Sequence, residues 1–398
     1  NKIDFYESFD KSKVLIMYRR VPDQKRDKKN HDKIGLMVYD NNLEPIWNRE
    51  VKMPYTEAEM DNLGYTVDSK GNVYILALVK TNEEPYLELL KYSPDIDNPI
   101  KIKVGGEGKS FSHGIQLQEG KNGQIYCAGF YGRKKHSDGV YVSVLDTRGN
   151  VKNEKFHEIP IEIINQYIKE GKQEKNEKKE EKGKEVGVYE LGLDQILIDG
   201  NGGLTLIGEV FYTKTRTSYG SGGVGGMGGA KTSIEYFYKE MFLTKISPEG
   251  ELEWMKKLIK NQYKREGGTF GMSPVFARIR ANYFSKIQIS KDLSYKYLRT
   301  ETDHYLLFLD NIKNLNLPEN KKPAKHLSGA GGYLTAYKVN DETGAVSKAS
   351  LFDTRNVNGM PVYQFEINRI SKTKDDEIIV EFYKKKKQDI FLRVNINR

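Results

Sequence analysis

The densest cluster of chemically capable side chains lies early in the chain. Arg19, Arg20, Lys25, Arg26, Lys28, Lys29 and Lys33 outnumber Asp23, Asp27 and Asp32, and His31 sits among them. Such a cationic run can contact phosphate groups or an acidic protein surface. Arg19, Arg20, Lys25, Arg26, Lys28, Lys29 and His31 are therefore the candidate binding residues. Lys384 to Lys387 form a second basic run. Neither run interleaves aromatic residues with its cations, which argues against nucleic acid as the partner. The plainer reading of both is a solvated loop.

Other chemistry-bearing residues do not assemble into a motif. Gly105-Gly106-Glu107-Gly108-Lys109-Ser110 looks like a phosphate loop, but Lys103 stands where a Walker motif needs glycine, and no strand-to-helix context surrounds it. Glu57, Glu59 and Asp61 could offer hard oxygen ligands to calcium, yet without EF-hand spacing. His31, His113, His136 and His326 fall in separate segments, so spacing nominates no metal or acid–base site. Cys127 is the one cysteine and lies in an apolar run, the place of a small buried hydrophobe. The sequence thus nominates no catalytic residue, no metal and no cofactor.

The elements that would position a site are short strands. Asn62 to Asp95 reads as strand, Asp68–Asn72 turn, strand, open loop, strand, and that grammar recurs along all 398 residues. Hydrophobic residues are 37% and charged residues 30%, but 26 Tyr and 16 Phe placed in alternating runs suit strands with a buried face. The formal charge of +9 leaves acidic glycans and lipid headgroups open as partners. No run approaches the roughly 18 apolar residues of a transmembrane helix. Asn1 is not an initiator methionine, so an upstream processed segment and export both stay open.

Six units of four strands predict an all-β chain, a six-bladed β-propeller of four-stranded antiparallel blades forming a single domain over 1–398. The blades span 4–53, 60–104, 115–159, 193–258, 284–353 and 365–397, the last one strand short. A β-sandwich or two smaller β domains fit the same strand spacing. Insertions fall at 160–192 and 213–237. The first begins with Pro160-Ile161-Glu162-Ile163-Ile164, a short helix, and continues through Lys169 to Glu185 with seven lysines and six glutamates, a charged helix extension or tether near 160–187. The second holds Ser218 to Ala230, with seven glycines and no charge, a flexible or partner-ordered loop.

The longer connections, including Met53 to Asp61, Arg133 to Asp138 and Thr213 to Tyr236, all join the same two kinds of strand end. A propeller would place them on one face, where binding residues tend to sit.

With its Asp-x-x-Gly-Asn turn at Asp68–Asn72, approximated at Asp199–Gly203, and without the Gly-His and Trp-Asp signatures of the WD40 class, the chain resembles extracytoplasmic bacterial β-propeller proteins. It is similar in style to proteins of outer-membrane or type IX secretion-associated assemblies. The resemblance implies a periplasmic, outer-membrane-associated or secreted scaffold that binds a protein partner. A glycan-active enzyme, or a propeller that binds acidic glycan or other polyanions, is the alternative.

Overall fold

The computed structural model describes residues 3–21, 29–80, 84–106, 109–111, 114–133, 135–184, 186–219, 230–267, 292–318, 321–357, 359–362, 364–374, 376–384 and 388–396. The chain is all-β and is built from successive antiparallel meanders. β1 (Ile3–Glu7), β2 (Lys13–Arg19), β3 (His31–Asp40) and β4 (Pro45–Thr56) pair in chain order. So do β5 (Met60–Val67), β6 (Val73–Val79), β7 (Tyr86–Ser93) and β8 (Ile96–Val104). The third meander is β9 (Ile115–Glu119), β10 (Ile125–Arg133), β11 (His136–Leu145) and β12 (Val151–Glu158), with β13 (Val188–Tyr189) added to β11.

The fourth sheet is larger. β14 (Leu191–Ile198), β15 (Leu204–Tyr219) and β16 (Ala230–Ile246) are followed by β17 (Leu252–Leu258), which pairs with β16. β18 (Gln262–Gly267) pairs antiparallel with β16, and a two-residue strand, β21 (His326–Leu327), joins it in parallel. The fifth meander is β19 (Lys296–Arg299), β20 (Asp303–Asp310), β22 (Tyr333–Asn340) and β23 (Val346–Asp353). A small hairpin, β24 (Asn356–Val357) with β25 (Met360–Pro361), leads to the three-stranded sheet β26 (Gln364–Lys374), β27 (Glu377–Lys384) and β28 (Gln388–Asn395). The charged insertion contains the helices α1 (Ile161–Asn165) and α2 (Glu170–Glu180), as its composition predicts.

Two compact units divide the chain. One holds Asn1–Ile159, Gly187–Ile207 and Thr244–Glu253; the other holds Pro160–Val186, Gly208–Leu243 and Trp254–Arg398. In the first unit β6 shows why the repeat stacks. Val73, Ile75 and Ala77 pack with Leu15, Ile34 and Val38 of the preceding meander, while Tyr74 and Leu76 pack with Ile115, Ile125 and Leu145 of the following one. A single meander cannot bury both faces of such a strand; its neighbours do. Each aliphatic side chain removed from water contributes about 1.5–3 kcal/mol. In the second unit Leu307, Leu309 and Leu334 share a core with Ile367, Ile378, Val380 and Phe382.

The turns repeat one device. The Asp68 carboxylate accepts the backbone N–H of Lys70 (3.0 Å) and of Asn72 (2.8 Å). Asp146 does the same for Arg148 and Asn150, and Asp199 for Asn201 and Gly203. Gly71 sits at φ 84°, a left-handed position that a side chain would strain. The buried carboxylate of Glu119 then ties turns together across meanders. It accepts the N–H of Phe9 at 2.7 Å, and the N–H and hydroxyl of Ser69, each at 2.7 Å.

Three segments expected as long connections are largely strand. His31 pairs with Thr56 and Met60 with Val79, so Met53 to Asp61 contracts to a turn at Glu57–Glu59. Arg133 pairs with His136, closing the link between β10 and β11. β15 and β16 both run into the segment Thr213 to Tyr236, and residues 220–229 lie outside the described residues. Continued pairing satisfies N–H and C=O groups that a loop must leave to water.

Candidate functional site

The predicted basic site falls where β2 ends and β3 begins. Arg19 is the last residue of β2, paired with Ile34, and the N–H of Arg20 bonds to the carbonyl of Lys33 at 2.9 Å. Lys33 lies opposite Lys52 of β4. Antiparallel pairing therefore brings Arg20, His31, Lys33 and Lys52 around a depression of about 190 Å³, completed by Val21, Asn30 and Asp32. Carboxylates pair with Arg20 and with its neighbour Arg19. Arg19 pairs with Asp32 (2.7 Å) and Glu57 (3.5 Å), and Arg20 with Glu50 (3.0 Å), each arginine side chain remaining about half exposed.

His31 places Nδ1 2.8 Å from the Met53 carbonyl, so that nitrogen carries the proton and donates it. Lys29 is exposed beside the start of β3. Lys25, Arg26 and Lys28 lie outside the described residues. Of the predicted set, the structure brings Arg20 and His31 into one depression together with Lys33 of the same basic run, pairs Arg19 with Asp32 of the lining, and adds Lys52, which sequence reading did not include.

Other weighed residues have internal duties. Glu59 accepts the N–H and hydroxyl of Thr56, closing its turn, and Asp61 pairs with Lys80. The N–H of Gly105 donates to the Glu154 carboxylate at 2.7 Å and to the Tyr141 hydroxyl at 2.8 Å, so an internal anion already occupies that donor. Cys127 is buried, and burial pushes its thiol well above the ordinary range, consistent with a small hydrophobe. His136 packs against Tyr189 at 5.5 Å. His113 and Lys385 to Lys387 lie outside the described residues. Among the described residues no group of His, Cys, Asp and Glu has the arrangement of a metal site.

The second unit holds two polar networks that sequence reading missed. Glu209 and Lys260 form an ion pair with both side chains fully buried. Gln262 accepts from Lys260 (3.1 Å) and from the N–H of Ser294 (2.7 Å), while the Ser294 hydroxyl donates to Glu209 (3.1 Å). Next to it, Lys239 donates to Asn261, and burial together with Lys322, Lys325 and Lys260 pushes its ammonium down to about 8, against the pull of Glu240. The available signal was Glu209 itself, a carboxylate inside the apolar run Leu204 to Val210.

The other network is Tyr297–His304–Asp341. Nδ1 of His304 is 2.8 Å from the Tyr297 hydroxyl and Nε2 is 2.7 Å from Asp341. The carboxylate fixes the proton on Nε2, so the tyrosine donates to Nδ1. Burial pushes the Tyr297 hydroxyl above its usual range, which keeps the proton on the oxygen and suits a structural brace better than a nucleophile.

No family model matches the sequence, and no curated protein matches it. Among solved structures the chain is similar to the polysaccharide lyase Uly1, at 11% identity and TM-score 0.38, over 100% of this chain and 78% of that one. It is also similar to prolyl oligopeptidase B from Galerina marginata, at 9% identity and TM-score 0.36, over 99% of this chain and 38% of that one. Thus the chain spans well under half the length of that oligopeptidase. A third is the β-propeller domain of the Trilobed protease from Pyrococcus furiosus, which has an open velcro topology, at 8% identity and TM-score 0.29, over 98% and 92% of the two chains. The neighbours therefore include β-propellers, and at these identities nothing of their chemistry transfers.

Proposed function

We propose that this chain is a non-enzymatic β-propeller scaffold, a single domain of six blades, that docks an acidic segment of a protein partner in a bacterial cell-envelope assembly. The observation that carries this reading is the cationic depression formed by Arg20, His31, Lys33 and Lys52. At about 190 Å³ it falls below the range of small-molecule pockets, about 300–1,000 Å³. It suits one carboxylate side chain presented by a partner, with the half-exposed arginines steering its approach. The acid–base network at His304 and the ion pair at Lys260 are engaged in internal bonds, which favours a scaffold over an enzyme.

The test is the double variant Arg20→Glu/Lys33→Glu. Titrated with a fluorescent Asp/Glu-rich peptide, it should bind about tenfold more weakly than the wild type, and the wild-type affinity should fall with salt. The same variant should lose envelope proteins that the wild type captures. Unchanged peptide affinity together with unchanged capture would overturn the reading.

A further inference from the structure

The last sheet differs from the other meanders at one edge. β3, β7, β11 and β22 are third strands, and each is covered by a fourth, β4, β8, β12 and β23. β28 is the third strand of its sheet, and its far edge has no strand partner among the described residues. Burial follows. β7 is buried from Leu87 to Tyr92, whereas exposed and half-buried residues alternate along β28 from Asp389 to Asn395. Ile390, Leu392 and Val394 pack on the core of their sheet. Asp389, Phe391 and Arg393 lie on the opposite face and are exposed, Phe391 by 67%.

An open edge offers N–H and C=O groups that template another strand, and proteins blunt such edges with proline or with like charges. β8 is blunted in this way, by Pro99 and by Lys101 and Lys103. β28 carries no proline, and its exposed charges have opposite signs, placed two residues to either side of Phe391. Antiparallel pairing of β28 with its own copy about Phe391 is therefore self-complementary. Phe391 faces Phe391, Ile390 faces Leu392 twice, and Asp389 faces Arg393 twice. A shift of two residues either way puts Asp389 opposite Phe391 or Asn395 and loses both charge pairs. Among the described residues neither Asp389 nor Arg393 forms an ion pair within the chain, so the new pairs displace none.

We infer that a second copy of this chain pairs antiparallel along β28, joining two three-stranded sheets into one of six strands about a two-fold axis at Phe391. Backbone hydrogen bonds supply the affinity, and the facing charges set the register. Such a contact uses the same patch on both partners and closes at two copies. An extended peptide of another protein could use the same edge, but it would not call for opposite charges equidistant from Phe391. The inference is independent of the docking depression in the first unit.

The experiment is sedimentation velocity on the full chain from about 1 to about 100 µM, a range that populates weak contacts. The wild type should pass from one copy to two. Asp389→Arg places arginine opposite arginine, and Arg393→Asp places aspartate opposite aspartate, so each should weaken self-association at least about tenfold. An equal mixture of the two variants restores opposite charges across the axis and should recover the dimer. The double variant Asp389→Arg/Arg393→Asp should dimerise within about threefold of the wild type. If either single variant loses its near-UV circular dichroism, Phe391→Cys decides. It sets two thiols opposite each other with Cα atoms about 4.5–5.5 Å apart, within disulfide range. Mild oxidation should link its copies at least about tenfold faster than those of Asn395→Cys, whose thiols lie far apart in this register. A wild type that stays single throughout, a dimer indifferent to both charge reversals, a mixture that stays single, or equal linking of the two cysteine variants would overturn the inference.

Discussion

Glu119 in the first unit and Glu209 in the second are both 1% exposed, yet they are stabilised by different means. Glu119 is held by fixed dipoles, two backbone N–H groups and one hydroxyl that belong to turns. Among the described residues no lysine or arginine forms an ion pair with it. Glu209 faces Lys260, a second buried charge that needs Gln262 and the Tyr238 ring, 5.5 Å away, for its own compensation. Turn dipoles cost little to arrange, because the turns are already folded. An ion pair must desolvate two charges, and its net contribution depends on both staying paired. The first arrangement joins segments of chain, and the second fixes one place in a core.

The largest break in that contrast is Lys260→Met. It leaves Glu209 buried opposite an apolar side chain, and urea unfolding should show a loss of about 3–5 kcal/mol. The paired variant Glu209→Leu/Lys260→Met should recover most of that loss. Equal losses in the two variants would show that the pair does not act as a compensated unit.

A smaller effect belongs to Glu119→Gln, which turns one acceptor into a donor facing N–H groups. It should cost about 1–3 kcal/mol. Amide exchange at Phe9 and Ser69 should speed up while amides of the second unit keep their protection. Unchanged exchange at both would remove Glu119 as a clamp.

The smallest effect concerns Lys239, beside the ion pair. The folded chain releases this proton near pH 8, whereas an unfolded lysine holds it to about 10.5. Between those values the unfolded state binds more protons, so stability from this group rises with pH across the window. Below pH 8 the cost of the buried charge is fully present. Lys239→Gln should flatten that rise and leave stability below pH 8 equal or higher. A pH profile unchanged by the substitution would contradict the placement of Lys239.

Much of the meander order was legible in the sequence because its signals are local. Asp68, Asp146 and Asp199 each close a turn with atoms two and four residues ahead, and Gly71 supplies the left-handed step. The strands between turns follow from alternation. The polar networks were not legible, because Lys260 and Glu209 are 51 residues apart in the chain. Lys260 lies in the stretch Lys256 to Arg265, whose composition reads as solvated surface. The contacts of Lys214, Lys239 and Lys325 with the rings of Tyr212, Phe237 and Tyr263 were hidden for the same reason, since the three lysines are scattered in sequence and only the fold brings them to those rings. Arg19, Arg20 and His31 stood out because their cluster is contiguous, while Lys52 joined them only through the register of β3 and β4.

The Glu119 clamp also sets an order in time. Its bond to Phe9 spans 110 residues and its bonds to Ser69 span 50. A chain leaving the ribosome can pair β1 with β2 and β5 with β6 by local ladders alone. Their turns lack this common acceptor until β9 has emerged, although the first two meanders already share an apolar core. Contacts of such long sequence separation tend to slow folding. A fragment ending before β9 would therefore keep that core and leave the turns at Phe9 and Ser69 untied.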